Sequence, residues 1–343
     1  MTILLNADLS TGDLSQLGEV EFKGVSDSSV KLSDRLVVAH EIDGIKPAQG
    51  NYLARFEVRP GDQYMGSTGW RFLARTEEPI RGRKVGETVY YVYAVLVPSD
   101  WPGDANIWIA GMEWHNAGGA GSPAPHHMYI YGDHMRADLW GGSPTGAKQQ
   151  LVKDFAYGYQ KLKWHIFACG IKMDRAPNAF FEAWHGCQTV DQQVKQEVKW
   201  TGVSSLYDDT DSNYGLFGIY RGQEGTSISH LYFGGYWELS SMQEAVDFAN
   251  KLLTGSVTPP PPPPPINGIN LRVVKQDSKY IYFEWDQVAG AEGYLYLVNG
   301  RRVSRTFDPL QTHTRVAYDA TAKYEVVAVN FNELARGAYS PSA

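Results

Sequence analysis

Seven consecutive prolines, Pro259–Pro265, constrain this chain more than any other feature of its sequence. Each proline fixes its own φ and lacks a backbone N–H, so the run can enter neither a helix interior nor a sheet ladder. It is expected to form an extended polyproline II spacer. Whatever folds must fold on either side of it, and 343 residues fit two domains by length alone. The expected division is a large domain at 1–240, a short helix at 241–254, a linker at 255–265 and a smaller domain at 266–343.

Just before the prolines, Ser241-Met-Gln-Glu244 has the spacing of a capping box, and Val246, Phe248, Ala249, Leu252 and Leu253 follow at helical spacing. Upstream the period is two. Asn51–Val58 alternates Tyr52, Ala54, Phe56 and Val58 against Leu53, Arg55 and Glu57, whereas Thr88–Val97 is apolar on both faces, as inside a sandwich. Further strands are expected at Ile107–Trp114, Met128–Tyr131, Lys163–Met173, Ala179–His185, Gly215–Tyr220 and His230–Trp237. About ten short strands with one helix describe an all-β chain, a jelly-roll sandwich in its larger part.

Composition narrows the ligand. Charged residues are 20% of the chain, hydrophobic residues 43%, and the formal net charge is -7. No broad basic surface is available for nucleic acid, and no apolar run approaches the ~18 residues of a membrane span. Neither nucleic acid nor membrane insertion is expected. Aromatic residues reach 13%, with 10 Trp and 21 Tyr, whose polar tips need partners; this directs attention to a neutral, sugar-like ligand. Cys169 and Cys187 are too few for a disulfide framework and lack the clustered spacing of a zinc site, so free thiols on neighbouring strands are expected. Met1–Asp8 has no basic segment and only a short apolar stretch, and no secretory signal is expected from it.

Three motifs fall in order on separate strands: Arg71-Phe-Leu-Ala-Arg75, Glu113-Trp114-His115 and Tyr214-Gly-Leu-Phe-Gly-Ile-Tyr220-Arg221. With Trp164-His165 and Glu182-Ala-Trp184-His185-Gly186, they resemble polysaccharide lyases with a concanavalin A-like jelly roll, of the alginate and heparin lyase type, over residues 3–240. Those families show an Arg-x-x-x-Arg strand, a Gln-x-His strand and a Tyr-Phe-Lys-x-Gly-x-Tyr strand lining one concave sheet. The resemblance implies a carbohydrate-binding groove formed by Arg71, Arg75, Glu113, His115, Tyr214, Tyr220 and Arg221. For an active site it implies Arg75 beside the uronate carboxylate, Glu113 in the place of the neutralising Gln, His115 as the base and Tyr220 as the catalytic tyrosine. The chemistry calls for these types: removing the C5 proton of a uronic acid needs a neutralised carboxylate, a base, and a proton donor for the leaving oxygen.

Two positions depart from the pattern. An ionised Glu113 about 4 Å from a uronate carboxylate costs about 4 kcal/mol at an effective dielectric near 20. Leu216 stands where the family has its Lys, which removes a further positive charge. Both changes favour binding of a neutral polysaccharide over elimination. His115 as a histidine bonded to a strand carbonyl and Tyr220 as a packing residue remain alternatives, and Trp114 is expected in the core.

Other candidates are weaker. His126 and His127, after Pro125, are expected in a loop, without partners at metal-ligand spacing. Glu41-Ile-Asp43 lacks the following Glu of jelly-roll glycosidases. Asp208-Asp-Thr-Asp211-Ser-Asn213 has oxygens at calcium-loop spacing, but Gly215 comes one position late and no terminal Glu follows. No cofactor or metal is expected beyond, at most, a structural calcium in that loop.

After the prolines, Ile281-Tyr-Phe-Glu-Trp285, Gly293-Tyr294-Leu-Tyr296 and Tyr324-Glu-Val-Val-Ala-Val-Asn330 resemble the B, C and F strands of a fibronectin type III domain. The resemblance implies Trp285 in the core and Tyr324 as the tyrosine corner. The opening Met-Thr-Ile-Leu-Leu-Asn-Ala-Asp-Leu-Ser-Thr-Gly-Asp, the proline spacer and the domain pairing look like minor tail proteins of phages infecting actinobacteria. That likeness implies a place at the tail tip of the virion, other tail proteins as partners, a homo-oligomer, and host cell-envelope polysaccharide as ligand. The leading expectation is a glycan-binding attachment protein; the alternatives are an active depolymerase working by β-elimination and a purely structural tail decoration.

Overall fold

A computed structural model describes the chain except residues 1–2, 15, 77–81, 102–106, 119–122, 144–147, 225–226, 256–268, 289–292, 300, 307–309, 311, 331 and 340–343. Two compact units divide it, Met1–Thr258 and Pro259–Ala343. The expected proline spacer lies outside the described residues.

The large unit is a sandwich of two eight-stranded antiparallel sheets. One runs, edge to edge, Lys195–Val203, Ala179–Cys187, Trp164–Lys172, Thr88–Leu96, Ser229–Leu239, Leu53–Val58 and Leu36–Ala39, with Ile3–Ala7 also paired to Ser229–Leu239. The other runs Lys148–Phe155, Met135–Gly142, His126–Ile130, Ile109–Asn116, Ser212–Arg221, Trp70–Arg75 and Val20–Phe22, with Arg83–Lys84 also paired to Ser212–Arg221. Alternate residues of the two sheets meet between them: Phe56, Tyr91, Tyr93, Phe167 and Phe181 from the first, and Phe72, Met112, Trp114, Phe217 and Ile219 from the second.

Thr88–Leu96 is apolar on both faces because both are covered. Tyr91, Tyr93 and Val95 face the sandwich core, while Val92, Ala94 and Leu96 face the helix Met242–Thr254. The helix starts where the capping box places it, with the Ser241 side chain accepting from the Glu244 N–H, and it ends on Gly255 at φ +66°. It buries Ala245, Phe248, Ala249, Leu252 and Leu253 against Trp164, Ile166 and Trp237, and so covers the outer face of the first sheet. The opposite sheet therefore carries the open face. No helix among the described residues is long and apolar enough to cross a membrane. Cys169 and Cys187 are free, buried and on adjacent strands.

The all-β reading of the sequence agrees with this architecture, with one correction that matters for the site. His126 and His127 are not in a loop: they open the strand His126–Ile130. Pro125 ends the preceding segment but still contributes its carbonyl, which accepts from the Trp140 N–H at 2.7 Å, so pairing with the next strand begins one residue before the histidines.

The small unit has a three-stranded sheet, Arg272–Gln276, Tyr280–Glu284 and His313–Ala317, and a four-stranded sheet, Arg301–Thr306, Gly293–Val298, Tyr324–Asn330 and Asn332–Tyr339. Trp285, Phe283, Tyr294, Tyr296 and Tyr324 share its core. The Tyr324 hydroxyl accepts from the Asp319 N–H and lies 3.2 Å from the Ala317 carbonyl and 3.0 Å from that of Asp319, tying one loop to the strand.

Candidate functional site

The open sheet presents two cross-strand rows of outward side chains. Its register places Arg75 opposite Leu216, Leu216 opposite Glu113, Glu113 opposite His127, His127 opposite Asp138 and Asp138 opposite Val152. A second row passes from Arg71 to Tyr220, Ala110, Tyr129, Arg136 and Asp154. Strand alternation explains which residues reach this face: Met112 and Trp114 point into the core, so Glu113 and His115 point out. On the neighbouring strand, Gly218 lies at a bulge with φ +145°, and a Cβ there would come 2.2 Å from the Phe72 carbonyl oxygen. Only glycine fits, and Tyr220, four residues after Leu216 on a strand that pairs with Trp70–Arg75 without a shift, shares its outer face.

Over these rows lies a cleft of about 530 Å³, lined among others by Arg71, Trp108, His115, His127, Tyr129 and Tyr220. Three of the residues expected from sequence, Arg71, His115 and Tyr220, thus meet in one cleft. His115 Nδ1 lies 3.1 Å from the Asn116 carbonyl, its ring beside that of Tyr214. The Tyr220 hydroxyl is 3.0 Å from Thr68 Oγ1, and its ring packs edge-on against Trp108. Glu113 lies beneath, 0% exposed. Neither of its carboxylate oxygens has a hydrogen-bond partner among the described residues, and the His127 Nε2 is 3.8 Å away.

The other three are held elsewhere. Leu216 separates Arg75 from Glu113, and the Arg75 guanidinium bonds Glu21 at 2.9 and 3.0 Å and Glu19 at 3.1 Å, above the Tyr214 ring. Tyr214 is nearly buried in that packing, and burial pushes its phenol well above the usual range. Arg221 is not in the cleft. It follows Tyr220, so it points inward, where its guanidinium lies over the Trp70 ring and bonds the Ser227 carbonyl at 2.9 Å.

Sequence reasoning missed the other half of the site. The Asp138 carboxylate accepts from the His127 backbone N–H at 3.0 Å and from the Trp140 indole at 2.8 Å, and it faces the His127 Nδ1 at 2.8 Å. Burial alone would lower the His127 imidazole, but Asp138 and Glu113 outweigh it and hold it above its ordinary value. Burial would likewise raise the Asp138 carboxyl, and His127 and Trp140 bring it below the usual range. Glu21, 2% exposed, also holds Arg71 at 3.2 Å, and Arg136 is forked onto Asp154 at 2.5 and 3.1 Å. The signal for Arg136, Asp138 and Trp140 was present in their strict alternation with Met135, Ala137 and Leu139.

The two minor candidates lie apart from the cleft lining. In the loop with calcium-like spacing, a guanidinium takes the oxygens: Arg175 Nη2 lies 3.2 Å from the Asp208 carbonyl, 2.8 Å from that of Thr210 and 3.0 Å from Asp211 Oδ1. Asp43 accepts from the Tyr232 hydroxyl at 2.6 Å and from Arg55 at 2.9 Å. Among the described residues no group of three or more His, Cys, Asp or Glu is placed to hold a metal ion.

A jelly-roll sandwich with an open, aromatic-lined cleft on one sheet is the architecture of a carbohydrate-active protein. Residues 9–235, more than half of the chain, match the model of the polysaccharide lyase family, and the chain belongs to that family. Its fold is similar to that of endo-β-1,4-glucuronan lyase from the fungus Trichoderma reesei, with a TM-score of 0.53 and 15% identity over 70% of this chain and 96% of that one. The catalytic domain of a family 131 glycoside hydrolase from Coprinopsis cinerea scores 0.48 at 10% identity, over 70% of this chain and 95% of that one. The marine PL-14 alginate lyase from Aplysia kurodai scores 0.46 at 9% identity, over 70% and 100%. No curated protein sequence matches the chain.

Proposed function

We propose that the large unit is the glycan-binding part of a phage minor tail protein, holding a neutral host cell-envelope polysaccharide in the cleft without cutting it. The observation that carries the binding reading is the pairing of charge. Among the described residues that line the cleft, Arg71 faces Glu21, Arg136 faces Asp154 and His127 faces Asp138, and Glu113 adds a carboxylate with no hydrogen-bond partner among them. A uronate entering this cleft would lose hydration, meet no uncommitted cation and be repelled by Glu113. A neutral sugar incurs none of these costs. Its C–H faces suit the aromatic walls, Trp108, Tyr129, Tyr131 and Tyr220.

His115 and Tyr220 in the same cleft support the alternative, elimination, as an outcome to be tested. The tail assignment, with its virion location, oligomer and tail-protein partners, is supported by the opening residues, the proline run and the domain pairing. The three- and four-stranded sheets, buried Trp285 and the Tyr324 corner support a fibronectin type III module in the small unit.

Equilibrium binding of the whole chain to neutral and to uronate-bearing fractions of actinobacterial envelope polysaccharide tests the reading. The neutral fraction is expected to bind at least about tenfold tighter, a difference of about 1.4 kcal/mol. Preference for the uronate fraction would contradict it, and retention of neither fraction would leave the structural role.

A further inference from the structure

The aromatic rings of the cleft continue beyond it. Along His126–Ile130 and around the following turn, His127 stacks on Tyr129 at 4.9 Å, Tyr129 lies 5.9 Å from Tyr131, Tyr131 stacks on His134 at 4.8 Å, and His134 stacks on Tyr157 at 5.4 Å. The first three rings of this column, His127, Tyr129 and Tyr131, line the cleft together with Arg136. The last ring does not. Tyr157 is 68% exposed, so one face of its phenol ring is open to solvent.

This ring is fixed in place although it is exposed. Its neighbours Ala156 and Gly158 both have left-handed backbones, at φ +52° and +67°, which lifts Tyr157 onto the crest of a tight turn. The turn is tied down by the Gly158 N–H on the Asp133 carbonyl at 2.7 Å and the Tyr159 hydroxyl on the Tyr131 carbonyl at 2.6 Å. Beneath it, Asp154 holds Arg136 and lies 3.6 Å from His134, and hydrogen bonds from Arg136 and Tyr157 help keep that carboxyl below the usual range. A large, rigid, amphipathic ring loses little conformational freedom when a ligand covers it.

We propose that the open face of Tyr157 is an outer subsite of the glycan cleft, stacking a sugar ring of the same polysaccharide chain after it has passed Tyr131 and Arg136. The proposal rests on the reading of the cleft as a glycan site and adds a length requirement to it. The column's continuity with the cleft identifies the occupant, since a chain leaving the cleft along these rings meets Tyr157 next.

The test is calorimetric titration of the whole chain with neutral fragments of acid-hydrolysed actinobacterial envelope polysaccharide, fractionated from disaccharides to decasaccharides. Tyr157→Ala is expected to weaken decasaccharide binding about tenfold and to leave disaccharide and trisaccharide binding unchanged, while Tyr157→Phe keeps the wild-type length dependence. Decasaccharide affinity equal in Tyr157→Ala and wild type overturns the subsite and leaves the cleft reading intact. Wild-type protein that binds none of the fragments overturns both.

Discussion

Acidification from pH 6.5 to pH 4 is expected to lower the stability of the large unit by several kcal/mol. Burial holds the His126 and His165 imidazoles down to about 4, and both are 0% exposed. His126 sits inward beside Phe181, with Nδ1 2.6 Å from the Asp138 carbonyl. His165 Nδ1 lies 3.0 Å from the His185 Nε2, and His185, also buried, is held well below its ordinary value by burial and then by His165. Because these folded-state values lie below the unfolded one, the neutral rings stabilise the fold fully above about pH 6.5, and that contribution is lost as pH falls toward 4. Each of the first two is worth about 3 kcal/mol. Their sum is comparable with the 5–15 kcal/mol that typically holds a domain together. His127, Glu182, Glu197 and Glu238, all shifted upward, oppose part of this loss. Urea midpoints measured across this range check the expectation, and a flat profile between pH 6.5 and 4.5 would contradict it.

Glu21→Gln combined with Glu113→Gln is expected to reverse the charge preference of the cleft. Glu21 pairs with both Arg71 and Arg75, so its amide variant frees the Arg71 guanidinium in the cleft, while Arg75 keeps Glu19. Glu113→Gln restores the amide that the lyase pattern has at that position and removes a charge 3.8 Å from His127. A charge-assisted hydrogen bond to the newly available Arg71 is worth about 2 kcal/mol, so uronate-bearing polysaccharide should gain roughly 30-fold in affinity. Glutamine keeps the shape and an acceptor oxygen at both sites, which limits the loss of stability on removing one side of a buried pair. Thermal unfolding beside the titration separates a folded variant from a damaged one. A folded double variant with unchanged affinity for uronate would show that paired charge is not what sets the preference.

How much of this site could be read from the sequence depended on what each inference needed. Alternation within one strand was enough to place Glu113 and His115 opposite Met112 and Trp114, and the same rule, applied to adjacent residues, separates Arg221 from Tyr220. Pairing between strands was not available. The opposition of Glu113 to His127 and of His127 to Asp138 is set by register between separate strands, which no local pattern encodes. The Arg75 position was legible but its role was not, because Glu21, far away in sequence, arrives on an edge strand only three residues long. Pro125 was a misleading stop signal: the strand expected at Met128–Tyr131 begins two residues earlier, so His126 and His127 were assigned to a loop. The helix was legible because its cap and apolar spacing are local, although Ala245 rather than Val246 is the buried residue of its first turn.

The claim that this polysaccharide lyase fold binds glycan without cleaving it is tested most directly by incubating the wild-type chain with actinobacterial envelope polysaccharide and following, in the same sample, retained protein and the ultraviolet absorbance of unsaturated sugar ends. The account predicts retained protein and no rise in absorbance over hours, with the same flat trace from Tyr220→Phe. A rise in absorbance from the wild type that disappears in Tyr220→Phe would contradict it and make the cleft an active lyase site.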